Sequence, residues 1–511
     1  MGADVRRPNL GAWIARKRRF VACIGGATLC ATLLSGHAAA TGRTLAQPRA
    51  NPQADATRIV VAVDTRSQTG VVATLQPAFD GRRMIFASLR GSVSHLWASE
   101  TDGSGLRRLD RGQFYGSWSG NADATRAVLF NPTNTEITRV DALTGGFRRN
   151  RLKAQRRGNP TVVFDPSDNL IVETGALHTL AWNAPTTSRR SFGRGLDDGE
   201  WAVATTFNDS PYGAWLAPTG LAWCGQTGAS STVGTPMKLA ALNTARLTVT
   251  VSSTRQTFDN GYGQCMVSED GSGVAVLAAR KDDRGAQWLV WRRHGGPVSS
   301  MRLSRRLSGS GVLSPTSAYW MVVATNSRRC GNGGSEVTSM SFVDLRSRHI
   351  RSVRSRFPGA VVCNAFSTWS SDDSTLAVLE QHGHRDFVRI VEPATGDSRR
   401  IAVPGPSSAS RWVRLTFIPG RRKLLVSTSP GASRQAEWYL IDVDHGERLH
   451  LTPDDPGIWQ GAGLSVSFSR DEAWFVGDSR DGASRGEIFH ARIEDLVAGP
   501  LTLSSEAIPR G

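Results

Sequence analysis

Phe79-Asp80-Gly81-Arg82-Arg83-Met84-Ile85-Phe86-Ala87-Ser88, then His95-Leu96-Trp97-Ala98, then Thr101-Asp102-Gly103-Ser104-Gly105-Leu106-Arg107-Arg108-Leu109 is the clearest copy of a pattern found nine times. Each copy has a polar turn, an apolar β-rich run, a second apolar run, and Asp-x-x-Thr-Gly or a degraded form of it. Starts recur about 40 to 60 residues apart, which marks stacked four-stranded units with variable loops. The turn reverses the chain between antiparallel strands, with Asp or Asn supplying local hydrogen bonds. The run after it is almost wholly apolar, as for a strand buried on both faces. The last strand of each unit is polar, carries arginine and is expected to face water. No segment combines helical periodicity with helix length, so almost no helix is expected.

The other copies open at Trp118-Ser119-Gly120-Asn121-Ala122-Asp123, Phe164-Asp165-Pro166-Ser167-Asp168, Phe207-Asn208-Asp209, Val267-Ser268-Glu269-Asp270-Gly271, Leu313-Ser314-Pro315-Thr316, Trp369-Ser370-Ser371-Asp372-Asp373, Phe417-Ile418-Pro419-Gly420 and Phe468-Ser469-Arg470-Asp471. Asp141-Ala142-Leu143-Thr144-Gly145 and Glu392-Pro393-Ala394-Thr395-Gly396 close two of them. From about residue 59 onward this resembles the TolB-type branch of β-propellers, whose repeat runs Trp-Ser-Pro-Asp-Gly, apolar strand, Asp-x-x-Thr-Gly. The resemblance implies fold more than chemistry. Similar propellers act as periplasmic binding modules, as gating domains of prolyl peptidases, and sometimes as lyases.

The expected fold is all-β: a single closed β-propeller of four-stranded blades over residues 58–505, with a short tail at 506–511. Eight blades are expected, within a range of seven to nine, because the copy at Asn208 can be an elaboration of its neighbour. Residues 59–75 read as the last two strands of a blade, so the N-terminus would close the ring against the final copy.

Arg16-Lys17-Arg18-Arg19 is a basic n-region, Phe20 to Leu34 a short apolar core, and Ala38-Ala39-Ala40 a small-residue cleavage site. Residues 1–40 therefore read as a signal peptide, and 41–57 as a disordered Ala/Pro/Gln-rich linker. This implies an exported chain, periplasmic or extracellular, with no integral membrane domain after processing. The 511 residues carry a formal charge of +17, and removing residues 1–40 leaves +12. Such a surface favours acidic partners. The dominance of arginine over five lysines also fits a compositional skew with solvated charges.

Four cysteines remain after processing: Cys224, Cys265, Cys330 and Cys363. In an exported chain an even count suggests disulfides. Cys224 and Cys330 occupy like positions in their repeats, and Cys265 and Cys363 each lie just upstream of the next turn. The pairs Cys224–Cys265 and Cys330–Cys363 would then clip neighbouring blades.

Catalytic signals are weak. Gly482-Ala483-Ser484-Arg485-Gly486 matches a nucleophile elbow formally but sits in a polar turn with no amphipathic helix after it. His382-Gly383-His384 with Asp386 lacks a third metal ligand at a useful spacing. Asp102-Gly103-Ser104 reads as hairpin chemistry before it reads as a calcium site. No catalytic residue, metal or cofactor is assigned, and no nucleic-acid partner. The leading expectation is an exported, non-enzymatic binding module for a protein or an anionic cell-envelope glycan. Two alternatives remain open: a propeller lyase or hydrolase with its site in the central funnel, and a structural scaffold for envelope assembly. Binding is expected on the face carrying the second-to-third-strand loops, because Gly225–Pro236 and Ser327–Glu336 are long and polar. Arg328, Arg329 and Asn332 are the side chains that would offer forked donors and an amide.

Overall fold

A computed structural model of the chain describes most residues between Thr57 and Leu503. Residues 1–56, 64–70, 152–160, 192–220, 228–235, 304–310, 354–360, 404–411, 430–436, 452–465, 479–485, 504–511 and shorter stretches lie outside the description. The described residues form nine β-sheets and one short helix, Ile493–Ala498. The expectation of an all-β chain of antiparallel four-stranded units holds for most of them: six sheets are four-stranded meanders taken in chain order. In the first, Val71–Pro77, Arg83–Arg90, Val93–Glu100 and Arg107–Arg108 pair in succession.

The second strand of each unit carries the core, as its apolar run implies. Met84, Ile85 and Phe86 are fully buried, and Val274 to Ala278, Leu376 to Leu379 and Leu424 to Val426 are buried too. Each large apolar side chain among them contributes about 1.5–3 kcal/mol over exposure. These strands are buried on both faces because consecutive sheets stack. Ala377, Val388 and Ile401 of the seventh sheet pack with Leu415, Leu424 and Tyr439 of the eighth. Comparable clusters join the first sheet to the second, the fifth to the sixth, the sixth to the seventh and the eighth to the ninth.

The turns opening several units share one geometry. A Ser or Asn side chain accepts the amide at the end of the reversal: Ser370 Oγ from Thr375 (2.9 Å), Ser268 Oγ from Gly273 (2.8 Å), Asn121 Oδ1 from Arg126 (2.8 Å). The fourth residue is left-handed. It is glycine at Gly81 (φ 71), but Asp168, Asp373, Ser317 and Ala124 adopt φ of 50 to 62; in the eighth-sheet turn the left-handed residue is the third, Gly420 (φ 65). Asp tolerates this region better than most residues, and two of the four are Asp. The Asp-x-x-Thr-Gly turn is an Asx turn: Asp141 Oδ1 accepts the amides of Leu143 (3.0 Å) and Thr144 (2.8 Å).

The ninth sheet combines both chain ends. Its order is Val466–Phe468, Glu472–Asp478, Gly486–Arg492, Thr57–Val63, Leu501–Leu503. Thr57–Val63 pairs antiparallel with Gly486–Arg492 (Val60 opposite His490) and parallel with Leu501–Leu503. The N-terminal strand thus joins the final copy, as the sequence suggested. One strand does so rather than two, because Val71–Pro77 pairs with Arg83–Arg90 and opens the first sheet. The first and ninth sheets also share a core, with Leu75, Met84, Phe86 and Trp97 against Trp474 and Ile488.

Candidate functional site

The sixth sheet has an unusual middle hairpin. Its first and fourth strands, Gly311–Leu313 and Ile350–Val353, pair only with the base of the two central strands, Tyr319–Arg329 and Ser335–Asp344. Among the described residues the central pair continues beyond Val322 and Met340 to Arg329 opposite Ser335, and its return strand packs against Val361–Trp369 of the seventh sheet. At about 3.3 Å per residue this ribbon runs for roughly 20 Å beyond Val322. Register shifts at Ala324/Thr325 and before Arg329 twist it. Arg328 and Arg329 end the outgoing strand, and Asn332 lies outside the described residues. The expected loop Ser327–Glu336 is therefore narrower than its composition implied. The pairing resumes at Arg329 opposite Ser335 after a register shift beyond Thr325. In the fourth sheet Leu221–Thr227 and Pro236–Asn243 flank residues 228–235, so Gly225 and Pro236 also belong to strands.

Cys224 lies in the fourth sheet, opposite Ala241, on a strand that packs against Met266–Val267, just after Cys265. Cys363 lies in Val361–Trp369, which packs against Ser335–Asp344 of the sixth sheet, just beyond Cys330. Cys265 and Cys330 themselves fall outside the described residues. So does Ser484; the strands flanking it pair antiparallel, Asp478 with Gly486, and the next element along the chain is the strand Gly486–Arg492 rather than a helix. His382 and Arg385 pair across a tight hairpin, and Asp386 is fully buried. No group of three or more metal-ligating side chains is found among the described residues. Asp102 accepts the Ser104 amide at 2.8 Å, and that residue holds its carboxyl below the usual range, as a hairpin role requires.

Several polar constellations escaped the sequence reading because their members come from different strands. His95 and Ser88 are cross-strand partners, and His95 Nδ1 lies 3.1 Å from Asp110 Oδ2. The order Ser, His, Asp suggests a hydrolase, but Ser88 is fully buried and its Oγ accepts Trp97 Nε1–H at 2.9 Å. A nucleophile needs access to substrate, so this group is a clamp. Arg389 binds buried Glu380 through two nitrogens, at 2.8 and 3.1 Å, inside the seventh sheet. Arg139 is buried, which lowers its pKa to about 10, and donates to the Trp182 carbonyl of the third sheet.

Arg108, Arg148, Arg302 and Arg448 of the outer strands are exposed as expected, Arg400 is not, and several arginines also bridge sheets. Arg148 donates to Asn183 O (2.9 Å), Arg348 to Ser299 Oγ (3.2 Å) and Arg448 to Ala402 O (2.7 Å). Part of the arginine excess therefore holds neighbouring sheets together.

At the opposite strand ends, the turns of the first, eighth and ninth sheets enclose a cleft of about 600 Å³. Arg470 N donates to Phe79 O (3.0 Å), tying the ninth-sheet turn to the first, and Ile493 N donates to Asp471 O (2.8 Å). Glu472, half-buried, lies beside the cleft with His490 Nδ1 at 3.2 Å, and His490 stacks on Trp474 at 4.4 Å.

No protein-family model matches the chain, and no curated protein sequence does. Among solved structures the chain is similar to an oligogalacturonate lyase in complex with manganese, with 12% identity over 84% of this chain and 99% of that one and a TM-score of 0.40. It is similar to a prolyl endopeptidase, with 12% identity over 81% of this chain and 55% of that one and a TM-score of 0.39. It is also similar to the Cps50 (Swd1) β-propeller domain of Myceliophteria thermophila, with 10% identity over 83% and 96% and a TM-score of 0.33. These neighbours have β-propeller-type folds, some enzymes and some binding domains. Among the described residues, no helix is long and apolar enough to cross a membrane.

Proposed function

We propose that the protein is an exported, non-enzymatic β-propeller that binds a protein or an anionic cell-envelope glycan. The nine sheets would be its blades, closed into one ring by Thr57–Val63. The ninth-sheet pairing of both chain ends supports closure. The TolB-like turns support the family reading, and the basic n-region and Ala38-x-Ala40 support export.

The observation that carries the binding reading is the sixth-sheet ribbon. The long central hairpin carries Arg328 and Arg329 at the end of its outgoing strand, next to residues 330–334. Loops and ribbons on rigid scaffolds are where recognition concentrates, and a guanidinium suits carboxylate or phosphate. The proposed Cys330–Cys363 disulfide would anchor the ribbon tip to the seventh sheet and reduce the entropy lost on binding.

The experiment is a pull-down from envelope extract and a glycan array, comparing wild type with Arg328→Ala/Arg329→Ala. Lost binding in the variant supports the reading, and unchanged binding places the site elsewhere. Turnover of a screened substrate moves the protein to the enzyme class. Mass spectrometry of the exported protein should find it beginning near Thr41.

A further inference from the structure

The turn-end cleft lies away from the ribbon, because first-to-second and second-to-third turns lie at opposite strand ends. Arg421, Arg470 and Arg492 line it and are exposed, together with exposed Asp471 and Glu494. None of these five has an ion-pair partner among the described residues. Other exposed charges, including Arg422 beside Arg421, do find partners. Arg422 pairs with Asp444 at 2.7 Å, Lys423 with Asp442 at 3.0 Å, and Arg302 with Asp283. The remaining acids of the cleft are engaged: Asp80 accepts the Arg82 amide, and Glu472 meets His490.

We propose that this cleft docks a protein segment carrying acidic and basic side chains in alternation. Unengaged charges of both signs share one lip, so a polyanion that met the arginines would also meet Asp471 and Glu494. Like-charge contact at an interface costs several kcal/mol and rejects wrong partners. A mixed segment can pair with both sets, its carboxylates taking forked guanidinium donors. The lip is held in place before binding, because Arg470 and Asp471 sit on a turn bonded to Phe79 and Ile493 through backbone groups. Little ordering is then lost on docking.

The test uses the full mature chain and three probes: an alternating Glu-Lys peptide, a polyglutamate peptide of equal length, and heparin. Dissociation constants are measured by fluorescence anisotropy at low salt. The expected order is Glu-Lys peptide tighter than both polyanions. Arg421→Glu/Arg470→Glu and Asp471→Lys/Glu494→Lys should each weaken the Glu-Lys peptide about tenfold, because each reverses two exposed charges that the peptide would pair with. All four positions are exposed, and circular dichroism checks that each variant folds. Tighter binding of a polyanion, with only the arginine variant affected, would overturn the proposal in favour of an anion site. Absence of Glu-Lys binding would overturn it outright. Arg328→Ala/Arg329→Ala should leave the peptide affinity unchanged. A loss there would assign the probe to the ribbon, so failure here is separable from failure of the ribbon reading.

Discussion

The Asp373 carboxylate, on the opening turn of the seventh sheet, accepts a hydrogen bond from Ser314 Oγ of the sixth at 2.9 Å. The same group accepts the amides of Thr316 (2.9 Å) and Ala318 (3.2 Å) and the Thr316 hydroxyl. One left-handed residue thus clamps the whole neighbouring turn. Asp168 does the same between the third and second sheets, reaching Asn121 Nδ2 (3.1 Å) and Arg126 Nη1 (3.1 Å).

Asp373→Ala should leave these buried donors unpaired and cost about 2–4 kcal/mol, read as a lower urea midpoint. Asp373→Asn tests the charge. Burial raises the Asp373 carboxyl above its usual value, and its hydrogen bonds only partly oppose this. The folded state then binds the proton more tightly than the unfolded one. Wild type therefore loses stability as pH rises from about 4 through the folded pKa. Its advantage over Asp373→Asn should be largest below that window and smaller above it. A gap that widens with rising pH would contradict the clamp's burial.

Asp442 has the opposite sign. Burial pushes its carboxyl up, but the His445 amide, Lys423 and the Asp444 amide together hold it well below the usual range. Its stabilisation is present above the unfolded value of about 4 and is lost as pH falls through the folded value. Asp442→Asn should therefore be less stable than wild type at neutral pH, with the difference shrinking at about pH 2. A pH-independent difference would show that the turn does not need the carboxylate.

The proposed disulfides would link neighbouring sheets whose strands pack: the fourth and fifth for Cys224–Cys265, through Leu221–Thr227 and Met266–Val267, and the sixth and seventh for Cys330–Cys363, through Ser335–Asp344 and Val361–Trp369. Peptide mapping of unreduced protein should recover these two pairs, and each Cys→Ser pair should lower stability by roughly 2–4 kcal/mol. Recovery of Cys224–Cys330, or of four free thiols, would refute the assignment.

The repeat made the sheets legible, because burial on both faces imposes apolar runs such as Met84–Ala87, and reversals impose Ser, Asn, Asp or Gly at fixed offsets. It misled at the sixth-sheet hairpin. Ser327-Arg328-Arg329 has loop composition, yet it belongs to the strand Tyr319–Arg329, which pairs again at Arg329 opposite Ser335 after a register shift. The clamps were not legible either. Asp373 looks like a degraded glycine position in its own turn, and its partners Ser314 and Thr316 lie in another copy. The cleft was hidden for the same reason: Arg421, Arg470 and Arg492 come together through stacking of the eighth and ninth sheets, which no local spacing records.

Site-specific photo-crosslinking in envelope extract tests the binding account most directly. A photoreactive residue placed at Arg328 should capture a discrete partner, and the same residue at exposed Arg148 on the outer strand of the second sheet should not. Equal capture at both positions, or capture at Arg148 alone, would contradict recognition through the sixth-sheet ribbon.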